Sequence, residues 1–167
     1  MPTDFMGLFA LLAAQGVRFV VVGGLASILH GVDRTTADID VVVDLAADSV
    51  RAALETLVRE GYRPMAPVDP LNLADPAIRA RWQQEHGMQV FSLWDSRNSR
   101  PTVDILLEPA IAFEELWQEA VDMTFRGVSV KVVKIDHLIR LKEFAGRAQD
   151  LADIARLRQI QSAGALK

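Results

Sequence analysis

Residues 20–43 read VVVGGLASILHGVDRTTADIDVVV, and the punctuation of this stretch decides the fold. Residues 18–22 are an apolar, β-branched run that fits a buried strand. Gly23-Gly24 breaks the run, residues 25–29 start a helix, and Gly31 ends it. Residues 32–37 are polar and irregular, and residues 39–43 form a second strand. A strand that ends in two glycines lets the backbone approach a ligand closely, because no Cβ stands in the way. The N–H groups at the start of the next helix point into the same gap and favour an anion. By itself the pair also fits a tight strand-to-helix turn that binds nothing. Adjacent glycines do not match the G-x-G-x-x-G dinucleotide fingerprint, and no lysine precedes Lys131 to complete a P-loop.

Asp38-Ile39-Asp40 opens the second strand. Residues two apart on a strand face the same way, with Cα atoms about 6.6 Å apart. Two carboxylates so placed repel unless a cation lies between them, and an oxygen-only ligand set suits Mg2+ or Mn2+. Aspartate is also a poor strand residue, so two of them ahead of Val41-Val42-Val43 require a reason. They are either metal ligands or the exposed entry of the strand. Asp104 poses the same choice. It interrupts the apolar strand 102–107, where a lone buried carboxylate is costly, so it is paired, exposed at a sheet edge or metal-bound.

Outward from this segment, residues 4–15 read as a helix capped by Thr3 or Asp4 and stopped by Gly16. Residues 48–60 are an amphipathic helix with Val50, Ala53, Leu54, Leu57 and Val58 on one face and Gly61 as its stop. A short strand at 62–65 runs into a loop, since residues 64–76 hold four prolines. A short helix at 77–85 precedes strands at 88–93 and 102–107, and the polar turn 95–101 makes these two antiparallel. Residues 112–120 form a helix, 123–133 a hairpin around Gly127, and 135–144 and 149–160 two helices broken near Gly146. The early β–α–β connection is expected to be parallel. The fold class is therefore α+β: a mixed sheet with helices on one face and a short C-terminal helical pair. The expected organisation is a core, residues 1–130, with a helical extension, residues 131–167, packed on it as a single compact unit.

Composition narrows the chemistry. The 167 residues include no cysteine, which excludes disulfides, zinc–thiolate sites and thiol nucleophiles. His30, His86 and His137 are scattered and make no zinc site; His30 reads as structural, and the other two are expected to face solvent. A net charge of −4 excludes a general nucleic-acid sponge. The charge is uneven: from Lys131 onward eight basic residues stand against four acidic ones, which leaves −8 for residues 1–130. Either that basic tail holds phosphates beside an acidic, cation-binding body, or it is an ordinary solvated helix face. Residues 1–16 lack the basic start of a secretory signal, and the apolar run 19–28 is far short of the ~20 residues of a spanning helix. A cytoplasmic chain with no membrane segment is expected.

The string GGLASILHG..R.T.DID, set after an apolar strand and followed by a later strand with one aspartate, resembles the nucleotidyltransferase core of the DNA polymerase β superfamily. It is similar in particular to small bacterial proteins grouped with AbiEii-type toxins and minimal nucleotidyltransferases. The segment LIRLKEFAGRAQDLADIARL is similar to the K-x(4)-R-x-x-D-x-x-D pattern common at the end of such chains. The resemblance covers roughly residues 19–107 and 128–157. One departure stands out: many active relatives carry serine in the second place of the small pair, where this chain has Gly24, with Ser27 a turn later.

The resemblance implies an enzyme, dependent on Mg2+ or Mn2+, that moves a nucleoside monophosphate from an NTP such as ATP to an acceptor. In it Asp38, Asp40 and Asp104 hold the metal and carry catalysis, with Asp104 as general base or its positioner. Gly23, Gly24, Ser27, Arg34, Lys142, Arg147 and Asp150 surround the nucleotide's phosphates, and Asp153 helps to orient Lys142. Their own chemistry leaves Arg34 as either a phosphate contact or a surface partner of Asp33 or Asp38. It leaves the 142–153 set as either cleft-facing or an exposed salt-bridge set worth ~0.3–0.5 kcal/mol per pair. The acceptors implied are an RNA or tRNA end, a protein or a small molecule. An antitoxin or a second copy of the chain are the implied protein partners. The alternative of the same fold is a catalytically inactive binding module or partner subunit, and an unrelated α/β protein would leave the three aspartates apart in space.

Overall fold

The computed structural model describes residues 5–165; the Thr3 or Asp4 cap and Lys167 lie outside the described residues. In chain order the elements are helix α1 (Phe5–Ala14), strand β1 (Phe19–Val22), α2 (Gly23–Leu29), β2 (Asp38–Val43), α3 (Ala47–Arg59) and β3 (Tyr62–Pro64). A 3-10 turn (Pro70–Ala74) leads to α4 (Pro76–His86), β4 (Val90–Asp95), β5 (Thr102–Leu106) and α5 (Phe113–Gln118). The hairpin β6 (Val121–Phe125) and β7 (Val128–Val132) and the helical pair α6 (Ile135–Ala145) and α7 (Ala148–Ala165) complete the chain. Every element expected from the sequence is present, with ends that differ by a few residues. The seven strands make one mixed sheet in the order β3-β4-β5-β2-β1-β7-β6, an α+β architecture.

The polar turn makes β4 and β5 antiparallel, as its length requires. The β1–β2 pair, expected to be parallel, is antiparallel. A parallel return needs a crossover long enough to carry the chain back along the strand. Here α2 has only 7 residues, about 10 Å of helix, and the loop after it enters β2 at the end where β1 stops. The parallel neighbours are instead β2 with β5 and β1 with β7. This arrangement positions the site: the antiparallel pair sets Val22 opposite Asp40, and the parallel pair sets Asp40 opposite Asp104.

Phe9 of α1 stacks on Phe19 of β1, and Trp82 of α4 stacks on Phe91 of β4, with centroids 5.5 and 5.9 Å apart. Phe19, Ile39, Ile105 and Phe91 share one face of the sheet by register, so α1 and α4 cover that face. Over β4 and β5 the cover is one-sided, as expected, and Val90 and Trp94 are exposed on the other side. At β1 a second layer is added: Arg18 lies over the rings of Phe113 and Trp117 of α5, at 5.1 and 4.8 Å. β1 is therefore buried along its whole length. Helices α6 and α7 contribute Leu138, Ile139, Ile154 and Leu157 to the core. His137, expected to face solvent, is buried, because the apolar stripe of α6 turns it toward α5, where its Nε2 lies 3.4 Å from Glu115. No described helix is long and apolar enough to cross a membrane.

Candidate active site

Asp38 and Asp40 are half-buried and alternate with the buried Ile39, so both project from the same face of β2. Asp104 is the register partner of Asp40 on β5, and Ser92 of β4 is the register partner of Asp104. Burial pushes the Asp40 carboxyl up to about 6, and the charges of Asp104 and Asp38 add to the rise. Burial likewise pushes Asp104 up, against a hydrogen bond to Ser92 and with the Asp38 charge adding to it. The register sets the three carboxylates side by side on one face of the sheet, which excludes the reading in which they stand apart. Oδ1 of Asp104 is buried and has no hydrogen-bond partner. Three like charges, oxygen donors only and an orphaned buried carboxylate oxygen fit a hard divalent cation such as Mg2+ or Mn2+.

The glycine pair is built around these carboxylates. Gly23 has a φ of +65°, and a Cβ placed there would lie 2.1 Å from Oδ2 of Asp40. Only glycine leaves room for that carboxylate beside the backbone. The backbone N–H of Gly24 donates to the Asp40 carboxylate. A Cβ on Gly24 would come within 3.1 Å of Thr36 Oγ1 and 3.2 Å of the Arg34 guanidinium. A side chain at Gly24 would press on Arg34 and Thr36, which would have to give by a few tenths of an ångström. Ser27 is fully buried, and its hydroxyl donates to the carbonyl of Gly23 at 3.3 Å.

The cationic side comes from the C-terminal helices. Lys142 of α6 is buried; its Nζ donates to Asp153 at 2.8 Å and lies 3.6 Å from Asp150. Arg34, from the loop before β2, pairs with the same Asp153. Nε of Arg147 donates to Asp150 at 2.8 Å, yet the Arg147 side chain is 79% exposed. The Arg147 charge lowers the Asp40 pKa, and Asp40 in turn raises that of Arg147. The set is therefore a partly buried network facing the acids rather than a row of exposed helix salt bridges, and Arg34 is partnered across it rather than with Asp33 or Asp38.

One cavity of about 560 Å³ has Gly23, Asp40, Asp104, Lys142, Arg147 and Asp150 in its wall. Gly24, Ser27, Arg34 and Asp38 do not line it. The cavity also takes in residues that the sequence alone did not single out, among them Gln89, Glu108, Leu141 and Phe144. Of these only Phe144 carries a readable signal, an aromatic side chain on the polar side of an amphipathic helix.

The model of the family described as nucleotidyltransferase of unknown function (DUF6036) matches residues 7–162. The chain belongs to the DUF6036 nucleotidyltransferase family. No curated protein matches the sequence. Among solved structures, this DUF6036 chain is similar to the lincosamide antibiotic adenylyltransferase LnuA in its lincomycin-bound form, with a TM-score of 0.62 and 16% identity over 93% of this chain and 94% of that one. It is similar to ANT(2")-Ia in complex with adenylyl-2"-tobramycin, with a TM-score of 0.55 and 13% identity over 96% and 97% of the two chains. A putative nucleotidyltransferase from Thermotoga maritima gives 0.54 and 14% over 92% and 89%. At such identities these likenesses establish the fold.

Among the described residues of this DUF6036 chain, the group whose ligand atoms all lie within 4.8 Å of one another is Glu115, Glu119 and His137, away from the cavity; the oxygens of Asp38, Asp40 and Asp104 are not drawn together so tightly. Glu119 pairs with Lys134, and Glu115 lies 3.5 Å from Arg140, so cations of the chain already face both carboxylates.

Proposed function

We propose that this chain is a metal-dependent nucleotidyltransferase that moves a nucleoside monophosphate from an NTP to a hydroxyl of an acceptor. The observation that carries this reading is the register of β1, β2 and β5, which gathers Gly23, Asp40 and Asp104 in the wall of a cavity that Lys142 and Arg147 also line. Asp38, Asp40 and Asp104 would hold Mg2+ or Mn2+, and the ion supplies positive charge that stabilises the transferring phosphoryl group and the leaving pyrophosphate. Arg147, exposed and within the field of Asp40, contacts the phosphates, and Lys142 adds a fixed charge behind it. Gly23 and Gly24 keep side chains out of the space the phosphates need. Ser27, Arg34 and Asp150 act by holding the glycine turn, the loop before β2 and Arg147 in place. The acceptor oxygen attacks the α-phosphorus, its proton passes to the Asp104 carboxylate, and the bond to the bridging oxygen breaks so that pyrophosphate leaves with that electron pair.

The cavity volume falls within the range of small-molecule sites. Two of the similar folds are described with an antibiotic or its adenylylated form. A hydroxylated small molecule, with ATP as donor, is therefore the first pair to try, and the same assay extends to RNA ends, protein acceptors and a toxin–antitoxin setting of the AbiEii kind. Thermal unfolding with Mg2+ and each NTP, for wild type and Asp40→Asn, tests the donor site. A ligand at about 100 times its Kd adds ~2.7 kcal/mol, and ~1 kcal/mol moves the midpoint of such a chain by roughly 2–4 °C, so a rise of about 5–10 °C is expected. The rise should require both metal and NTP and be absent in the variant. No rise with any NTP up to millimolar concentration would refute the transferase reading and favour an inactive module of the same fold.

A further inference from the structure

The cavity has two halves. One holds the carboxylates and cations described above. The other is apolar, formed by Val90, Leu106 and Pro109 from the sheet side and by Leu141, Phe144 and Ala145 from α6. Phe144 is 77% exposed, the most exposed large hydrophobic side chain among the described residues. A lone surface apolar side chain needs no explanation. This one lines a cavity whose wall also holds the half-buried Leu141 and the exposed Val90, so it does not stand alone.

Its position on the chain says which ligand it meets. Phe144 lies two residues after Lys142 and three before Arg147, at the corner where Gly146, with a φ of +65°, ends α6. The same corner thus presents an aromatic ring and Arg147, whose charge acts on Asp40. The acceptor must reach Asp104, whose wall is built by β4 and β5, where the Val90–Leu106 pair lies one pleat from Ser92 and Asp104. Phe144 stands on the opposite wall, the one that holds the phosphates.

We infer that Phe144 is the stacking surface for the nucleobase of the bound NTP. The inference rests on the nucleotidyltransferase reading above and deepens it. An aromatic face binds any base, so the donor is held by its phosphates for charge and by its ring for area, with little choice among bases from this contact. Because the ring is exposed in the free protein, replacing it leaves no core cavity.

Calorimetric titration in Mg2+ with ATP and with inorganic tripolyphosphate tests this, for wild type, Phe144→Ala and Phe144→Tyr. Phe144→Ala should bind ATP roughly 5- to 150-fold more weakly than wild type, the range a lost base–aromatic stack gives. Its tripolyphosphate affinity should be unchanged, and Phe144→Tyr should keep wild-type affinity for both ligands. Wild-type ATP affinity in Phe144→Ala overturns the stacking role, and so does an equal loss of ATP and tripolyphosphate binding. A wild-type protein that binds neither ligand overturns the nucleotidyltransferase reading and the stacking role together, which separates the two failures.

Discussion

Asp40 is held in a place that disfavours its charge. Burial and the neighbouring Asp104 and Asp38 push its carboxyl up to about 6, so the folded state binds this proton more tightly than the unfolded chain does. The stability this one group contributes is therefore greatest below about pH 4 and falls as pH rises through 6, by on the order of 2–3 kcal/mol. Asp40→Asn removes that penalty. In EDTA at pH 7 the variant should melt several degrees above wild type, and below about pH 4 the two should coincide. A variant less stable than wild type at pH 7 would mean that the carboxylate is satisfied without a cation. The opposite behaviour belongs to Gly23, where a Cβ would strike Asp40 and the positive φ disfavours any side chain. At this scale the sequence exposes the acids and glycines through their poor fit to a strand. It does not expose how tightly Gly24 is enclosed, because the atoms that crowd it belong to Arg34 and Thr36, ten and twelve residues further along.

The β4–β5 turn fixes the register that sets Ser92 opposite Asp104. Residues 95–101 read only as a polar turn in the sequence, yet Asp95 is its keystone. The buried Asp95 carboxylate accepts from the backbone N–H groups of Arg97, Ser99 and Arg100 and from the Ser99 hydroxyl, at 2.9–3.3 Å. Arg100 lies against it and over the Tyr62 ring at 4.8 Å. Burial pushes the Asp95 carboxyl up, but the hydrogen bonds of Arg100 and Ser99 outweigh it and hold the group well below the usual carboxylate range. Its contribution is therefore present above about pH 4 and lost as the solution is acidified further. Asp95→Ala should cost about 3–5 kcal/mol in urea unfolding at pH 7. The gap between wild type and Asp95→Asn should narrow by ~1.4 kcal/mol per pH unit below pH 4; a gap independent of pH would assign the effect to shape rather than charge. Element identity was legible from periodicity, since each strand and helix carries its own pattern. Pairing direction was not: whether β1 and β2 run parallel depends on the reach of a 7-residue helix, a property of length rather than composition.

Across the whole molecule, one carboxylate ties the two ends of the site together. Asp153 is fully buried on α7 and accepts from Lys142 of α6 and Gln149 at 2.8 and 3.0 Å. It also pairs with Arg34, 119 residues earlier in the chain, in the loop that leads into Asp38. The helical extension is thus bound to the metal-site strand through charge as well as through Leu138, Ile154 and Leu157 in the core. A division into a core and an extension that melt separately would need few contacts between them. We predict one cooperative transition instead. Trp82, Trp94 and Trp117 all lie before residue 130 and report that part by fluorescence, whereas far-UV circular dichroism also reports the 11 and 18 residues of α6 and α7. The two signals should change together in urea, both in wild type and in Asp153→Ala. That substitution leaves Lys142 buried without its main partner, so stability should fall by about 3–5 kcal/mol and the common thermal midpoint by roughly 10 °C. The metal-dependent NTP shift should shrink with it, because the same residue fixes Lys142 at the phosphate wall. Separated transitions in wild type would show that the extension melts as a unit of its own, and a near-neutral Asp153→Ala would show that apolar packing alone docks it.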